Sequence, residues 1–207
     1  MMRNFKTTTK GHLKLVEYGF ILTLLFSVML SSNLKAQESK TELPKEKQTV
    51  LQKYVTSKEA YDMWVANPEN VKILDVRTLD EYIYIGHGEM AYNIPAFLQT
   101  QEWDANKHHF AMKPNTEFLK QVKDVFKPED TILVTCRSGG RSAAAINQLA
   151  TIGFKNLYNI TDGFEGDTVN DPESVFVGKR MVNGWKNSGL PFTYSIDSTR
   201  VILLKEN

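Results

Sequence analysis

The sequence predicts an α/β protein of three layers, in which a central, mainly parallel sheet is flanked by helices on both faces. Three short apolar runs, at 71–76, 131–135 and 156–160, are typical of buried strands. Segments with the apolar spacing of helices lie before and between these runs, at 57–65, 117–126 and 141–152. Alternation of strand and helix indicates parallel βαβ units, because a crossover helix returns the chain to the start of the next strand.

The first helix is predicted to begin at a serine and to end before a proline. We expect Ser57 to cap the N-terminus, since a serine side chain accepts hydrogen bonds from unpaired amides of the first turn. Tyr61, Trp64 and Val65 share one face at helical spacing. The Asn-Pro pair at 67–68 then ends the helix.

The single cysteine of the chain ends the second apolar run and opens a turn rich in glycine and arginine. Cys136 is followed by Arg137, Ser138, Gly139, Gly140, Arg141 and Ser142. The two glycines permit positive φ angles, which let successive amides converge on an anion, and the helix that follows adds the positive end of its dipole. Cationic neighbours and a helix N-terminus favour the thiolate form of cysteine. The pattern therefore predicts a nucleophile.

The length of this turn separates two classes of cysteine enzyme. Cys136 to Arg141 is Cys-x4-Arg, a loop of six residues. Cysteine phosphatases, which cradle a tetrahedral phosphate, use Cys-x5-Arg, one residue longer. A phosphatase or arsenate reductase is therefore the disfavoured alternative.

Motifs on both sides of the turn resemble the rhodanese family of sulfurtransferases. Lys-Ile-Leu-Asp-Val-Arg at 72–77, followed by Glu81-Tyr82 and Gly86-His87, is similar to the first signature of that family. Tyr-Asn-Ile-Pro at 92–95 is similar to its usual ending, and 153–166 resembles the last strand and the glycine turn after it. The resemblance implies a rhodanese-like domain over residues 52–192.

The resemblance also implies a reaction at Cys136. In rhodaneses, a six-residue loop holds a sulfane sulfur on the cysteine as a persulfide, and the Cys-Arg-Ser-Gly-Gly-Arg form is similar to members that accept thiosulfate. Cys136 would take sulfur from thiosulfate or a similar small donor and pass it to cyanide or a thiol. Arg137 and Arg141 would bind the anionic donor, and the amides of 138–142 would stabilise the persulfide. No metal or organic cofactor is implied.

Four residues outside the loop are predicted to support the site structurally. In the family, the pair corresponding to Asp75 and Arg77 organises the base of the site. Glu81 is expected to pair with a buried arginine, and His87 is expected to brace a turn by a hydrogen bond.

The long segment 95–114 holds residues that suggest other chemistry. Adjacent His108 and His109 would point to opposite faces of a strand, and no further ligand lies at metal-binding spacing, so we predict no metal site. The aromatic residues are interpreted as core, with a wall of the substrate pocket as the alternative. These residues are Phe97, Trp103 and Phe110.

Three further segments are predicted around the domain. Residues 37–51 lack apolar periodicity and are interpreted as a solvated polar linker. Residues 167–184 are an extra segment relative to the family pattern, and 193–207 form a C-terminal tail. A second hypothesis is that the protein carries persulfide sulfur to a protein acceptor, with 167–184 as the docking surface.

The N-terminus predicts export. Four basic residues precede an apolar run at 18–30, and these residues are Arg3, Lys6, Lys10 and Lys14. The run of about 13 residues matches a signal peptide and is shorter than the roughly 20 needed to span a bilayer. We expect cleavage after Ala36, no stable membrane anchor afterwards, and a periplasmic or secreted protein. An uncleaved anchor is the alternative.

Charge argues against nucleic acid as a partner. The 207-residue chain has a formal net charge of +1, and removal of residues 1–36 takes away five basic residues and one acidic residue, which leaves about −3. No basic cluster is present that would suit a phosphate backbone.

Overall fold

A five-stranded parallel sheet occupies the centre of the computed structural model, which describes residues 42–203. Its strand order is β1 (Tyr54–Val55), β7 (Leu157–Ile160), β6 (Thr131–Thr135), β2 (Val71–Asp75) and β3 (Ala91–Asn93). All four pairings in this sheet are parallel. The two remaining strands, β4 (Phe97–Asp104) and β5 (His109–Pro114), form a separate antiparallel hairpin.

Helices cover both faces of the central sheet. They are α1 (Ser57–Ala66), α2 (Leu79–Tyr84), α3 (Phe118–Val125) and α4 (Gly140–Ala150). Successive strand residues point to opposite faces, so Leu74 and Val134 pack with α3 and α4, whereas Ile73 and Leu133 pack with α1 and α2. The predicted α/β class, with its parallel sheet between two helical layers, is confirmed.

The predicted strands and helices agree closely with the observed ones. The three apolar runs are β2, β6 and β7, and the segments predicted at 117–126 and 141–152 are α3 and α4. Each boundary differs by two residues or fewer. This agreement reflects strong local patterns, since buried parallel strands are apolar on both faces and the helices repeat apolar residues at regular spacing.

The cap of α1 was predicted at the wrong residue. Thr56 caps the helix: its Oγ1 accepts the Glu59 amide at 3.3 Å, and the Glu59 carboxylate accepts the Thr56 amide at 2.7 Å. Ser57 is instead the first helical residue and is buried. Its amide donates to Asp162 Oδ1 at 2.8 Å, which ties α1 to the turn after β7.

The hairpin and two short strands were missed from the sequence. β1 and β3 have only two and three residues, too few for a periodic pattern. In the hairpin, Trp103 and Phe110 pack edge to face with ring centroids 5.3 Å apart, but they are 55% and 50% exposed. The interpretation of these two rings as core was therefore wrong, whereas Phe97 is half-buried against the core.

The segment before the domain is more ordered than a solvated tether. Residues Lys45–Lys47 form a 3₁₀ turn, and the Lys47 ammonium lies 2.9 Å from an Asp167 carboxylate oxygen. The Lys47 carbonyl accepts a hydrogen bond from Asn159 Nδ2, and Thr49 is buried. From Leu43 onward the chain belongs to the same packed unit as the sheet.

The segment after residue 192 also packs on the domain. Thr193 and His87 exchange backbone hydrogen bonds of 2.8 and 3.0 Å. Asn93, in the edge strand β3, donates its amide to the Arg200 carbonyl at 2.8 Å and accepts the Ile202 amide at 3.0 Å. As far as residue 203, the predicted tail therefore covers the edge of the sheet.

The predicted signal peptide, 1–36, lies outside the described residues. Between residues 42 and 203, the structure contains no helix that is long and apolar enough to cross a bilayer.

A buried ion pair fixes the end of β2. Asp75 and Arg77 are almost completely buried, and Arg77 Nη2 lies 2.6 Å from Asp75 Oδ2. Arg77 also donates to the Gly86 carbonyl at 2.8 Å and stacks 4.1 Å from the centre of the Phe164 ring. The pair thus joins β2 to the turn before β3 and to the turn after β7, as a structural role predicts.

Asp75→Asn is expected to destabilise the fold by about 3–5 kcal/mol, because it leaves the buried Arg77 guanidinium without a counter-charge. The matched control is Asp104→Asn in the surface Asp104–Lys107 pair, which should destabilise the protein much less, because solvent screens that pair. Urea unfolding measures both free energies. Equal effects of the two substitutions would contradict the structural role of the buried pair.

Candidate active site

The cysteine loop joins the carboxyl end of a central strand to a helix. Cys136 directly follows β6, and α4 begins at Gly140. In open α/β sheets this edge is where ligands bind. Cys136 is 1% exposed, so its sulfur sits within the loop.

Two groups of the loop lie within hydrogen-bond distance of the sulfur. The Gly139 amide donates to Cys136 Sγ at 3.2 Å. The Ser142 hydroxyl lies 3.4 Å from Sγ, but it is only 2.6 Å from Asn159 Oδ1. A hydroxyl has one proton, and the shorter contact indicates that Asn159 receives it.

Other amides of the loop donate no hydrogen bond within the described residues. No acceptor for the amides of Ser138, Gly140, Arg141 or Ser142 lies within the part of the chain that the structure describes. The last three belong to the first turn of α4, where amides have no partner within the helix. The loop therefore has N–H groups available for an anion bound on Cys136.

The conformation of the loop depends on Gly139. This residue has φ +95°, and a Cβ there would collide with the Thr161 carbonyl oxygen. The turn after β7 supports the same loop, because the Phe164 amide donates to the Cys136 carbonyl at 2.7 Å and the Glu165 amide donates to the Arg137 carbonyl at 3.0 Å.

Of the two loop arginines, Arg141 is held by a carboxylate. Its Nη1 and Nη2 lie 2.7 and 2.6 Å from the two carboxylate oxygens of Glu81, and both side chains are 18% exposed. Burial opposes ionisation of Glu81, but the Arg141 bonds and the Thr78 amide outweigh it and lower the pKa of Glu81. Glu81 thus pairs with an arginine as predicted, whereas Arg141, predicted to bind the donor, is already engaged.

Arg137 has the opposite character. Its side chain is exposed, and no carboxylate lies within 4.0 Å of its guanidinium among residues 42–203. It is the loop arginine whose charge is available to a ligand.

His87 lies in the turn before β3. Its Nδ1 lies 2.9 Å from the Tyr82 carbonyl oxygen, and its ring stacks on the Tyr82 ring with centroids 3.6 Å apart. These contacts brace the turn. No group of three metal-ligating side chains occurs in residues 42–203, and His109 Nδ1 contacts the Phe110 carbonyl instead.

Comparison with known proteins gives the family. The sequence model of the rhodanese-like domain matches residues 56–168, more than half of the chain. The chain belongs to the rhodanese-like family. An uncharacterized protein of Rickettsia conorii is 36% identical over 141 residues, which cover 68% of this chain and 96% of that protein.

Two further relatives of this rhodanese-like chain are informative. Thiosulfate sulfurtransferase 18 of Arabidopsis thaliana is 41% identical over 93 residues, which are 44% of this chain and 62% of that enzyme. A protein of M. tuberculosis with a known crystal structure is 26% identical to this chain. The two structures match with a TM-score of 0.52 over 68% of this chain and 96% of that chain.

Sequence reasoning missed two charged residues near the loop of this rhodanese-like protein. Glu165 lies in the turn after β7, so its position near the carboxyl edge of the sheet was a usable indication. Burial raises the pKa of Glu165, while Arg77 and Arg137 act in the opposite direction. Arg180 lies beyond the matched range, 56–168, and no motif marks it.

Gly139→Ala is expected to destabilise the protein by about 2 kcal/mol or more, since alanine disfavours positive φ and its Cβ meets Thr161. It should also slow alkylation of Cys136 by iodoacetamide, because the amide that donates to Sγ is displaced. Both effects can be measured, by urea unfolding and by the rate of alkylation.

Gly140→Ala is the matched control. Its Cβ would meet only the Glu46 carbonyl oxygen, at 3.7 Å, and the residue lies in a helix, so stability should change by less than about 1 kcal/mol. If the two substitutions change the free energy of unfolding and the alkylation rate equally, the conformation of Gly139 does not determine the structure of the loop.

Proposed function

We propose that this protein is a sulfurtransferase that takes the outer sulfur of thiosulfate and passes it to cyanide or a thiol. The observation that supports this is the six-residue loop, in which Sγ of Cys136 accepts the Gly139 amide and further N–H groups have no acceptor within residues 42–203. The relative named thiosulfate sulfurtransferase 18 supports the choice of donor.

In the first half-reaction, the Cys136 thiolate attacks the sulfane sulfur of thiosulfate. A new sulfur–sulfur bond forms on Cys136, the bond within thiosulfate breaks, and its electron pair leaves with sulfite. The total charge is unchanged, because a thiolate and the thiosulfate dianion are converted into a persulfide anion and a sulfite dianion. The loop amides stabilise the terminal sulfur by hydrogen bonds to the charge it carries.

In the second half-reaction, a nucleophile removes the terminal sulfur. Cyanide attacks it, the bond to Cys136 breaks, and the electron pair returns to the cysteine thiolate as thiocyanate leaves. No oxidant or reductant is consumed. Covalent catalysis in this form divides one transfer into two easier steps.

The charged side chains have different parts in this proposal. Arg137 attracts the anionic donor, because its guanidinium is exposed. Arg141, bound to Glu81, fixes the start of α4 relative to α2 and adds positive charge near the sulfur. Asp75 and Arg77 hold the strand end and turns on which the loop rests.

Incubation with thiosulfate is expected to add the mass of one sulfur atom to the reduced wild-type protein and none to Cys136→Ser. Cyanide should then remove the added mass and release thiocyanate in equal amount. Intact mass spectrometry and a thiocyanate assay measure the two steps, and urea unfolding checks that the serine variant is folded. A reduced wild-type protein that gains no sulfur would exclude thiosulfate as the donor.

A persulfide carrier is the second candidate. Five apolar residues of the extra segment are exposed, and they are Val175, Phe176, Val177, Met181 and Val182. Exposed apolar groups of this kind favour contact with another protein. A carrier would load sulfur as above but discharge it slowly to small thiols at every concentration, whereas an independent enzyme would show saturable turnover.

We also propose export, on the basis of the N-terminal sequence. When the full sequence is expressed in a Gram-negative host, a shortened chain that begins at Gln37 should be recovered from the periplasm, which N-terminal sequencing establishes. A full-length chain in the membrane fraction would instead support the uncleaved anchor.

A further inference from the structure

The extra segment brings a second cation to the cysteine loop. Arg180 Nη1 donates to the Gly166 carbonyl at 2.6 Å. The Gly166 amide in turn donates to the Arg137 carbonyl at 3.2 Å. One glycine therefore links the guanidinium of Arg180 to the main chain of the residue that follows Cys136.

The base of the segment is closed tightly, so that Arg180 has a defined position. The Asp167 amide donates to Asn183 Oδ1 at 2.7 Å, and Asn183 Nδ2 donates to Asp167 Oδ2 at 3.0 Å. A Cβ on Gly166 would collide with the Asn183 carbonyl, so the two ends of the segment are in backbone contact.

Main-chain pairing then positions the residue itself. Thr168 lies opposite Arg180 in an antiparallel bridge, and the Val169 amide donates to the Lys179 carbonyl at 2.8 Å. Asn187 Nδ2 also donates to the Arg180 carbonyl at 3.2 Å. The arginine is thus carried by a braced backbone.

Within the described residues, 42–203, no ion pair neutralises the charge of Arg180. Asp167, one of three carboxylates of its own segment, is bound by Lys47 at 2.9 Å and by Asn183. Across residues 42–203, no carboxylate lies within 4.0 Å of the guanidinium of Arg180 or of Arg137. Both arginines thus lack an ion pair in this part of the chain, and Gly166 links Arg180 to the cysteine loop.

The two guanidinium groups also act on each other. Burial and the charge of Arg137 lower the pKa of Arg180, while Glu165, Asp167 and the thiol of Cys136 act in the opposite direction. Like charges held this close repel, and the repulsion is relieved when an anion binds between them.

We propose that Arg137 and Arg180 form a two-arginine binding site for sulfur oxyanions with two negative charges, which positions the donor at Cys136. Arg180 then has the donor-binding role that the sequence predicted for Arg141. The proposal rests on the proposed function for the identity of the donor, whereas binding of the dianion can be tested without sulfur transfer.

A comparison of thiosulfate with methanethiosulfonate separates the effect of the donor's charge from the effect of the sulfur that is transferred. Both carry the same outer sulfur, but in methanethiosulfonate a methyl group replaces one charged oxygen, so it has one negative charge. Arg180→Gln is expected to raise KM for thiosulfate about tenfold, the loss of one charge-assisted contact, and to change KM for methanethiosulfonate much less. Arg180→Lys, which keeps the charge, should lie between Arg180→Gln and wild type.

Lys179→Gln is the matched control for this substitution. It removes the same charge from the adjacent, exposed residue of the same segment, so KM for either donor should stay within about twofold of the wild-type value. Equal losses in Lys179→Gln and Arg180→Gln would mean that only the overall charge of the segment matters, which overturns the proposed site.

A binding measurement separates this proposal from the proposed reaction. At constant ionic strength, sulfate should slow alkylation of wild-type Cys136 by neutral iodoacetamide more than its monoanionic analogue methanesulfonate does, and Arg180→Gln should abolish the difference. If the wild type shows no difference between the two anions, the two-arginine site is excluded. If sulfate protects Cys136 but thiosulfate loads no sulfur, the anion site stands and the proposed function fails.

Discussion

The active loop depends on a contact between two backbone segments. Gly139, in the loop after β6, and Gly163, in the turn after β7, both adopt positive φ and leave no room for a side chain between the segments. A Cβ on Gly163 would lie 2.6 Å from the Cys136 carbonyl oxygen. Amides of the turn donate to the loop carbonyls, and within residues 42–203 the loop amides other than those of Arg137 and Gly139 have no acceptor. The loop can therefore bind an anion, because its carbonyl oxygens already accept hydrogen bonds from the turn after β7.

Four arginines lie in or near this loop, and their partners divide them into two kinds. Arg77 and Arg141 are held by Asp75 and Glu81, so they stabilise the framework. Arg137 has no such partner within the described chain, and Arg180 reaches the same edge of the sheet from a segment beyond the matched domain. Whether the charge of one of these arginines is neutralised thus depends on the carboxylates around it, not on its distance in sequence from the cysteine.

Much of the fold was predictable because its signals are local. The runs that became β2, β6 and β7 are apolar on both faces, and the helices have regular apolar spacing. The prediction failed where tertiary contacts decide the outcome. Thr56 rather than Ser57 caps α1, because Ser57 is drawn into contact with Asp162, more than a hundred residues away. The rings of Trp103 and Phe110 are exposed, because their hairpin lies outside the central sheet.

The sequence by itself determined the fold class, the family and the position of the cysteine loop. Each depends on residues that are adjacent in the chain: apolar runs, the six-residue spacing from Cys136 to Arg141, and the glycines between them. The tertiary structure alone decided which charges surround the sulfur. Glu81 forms an ion pair with Arg141, and Lys47 forms one with Asp167, whereas Arg180 has no ion pair within residues 42–203. Such pairings join residues that are far apart in sequence, and a local pattern contains no information about them.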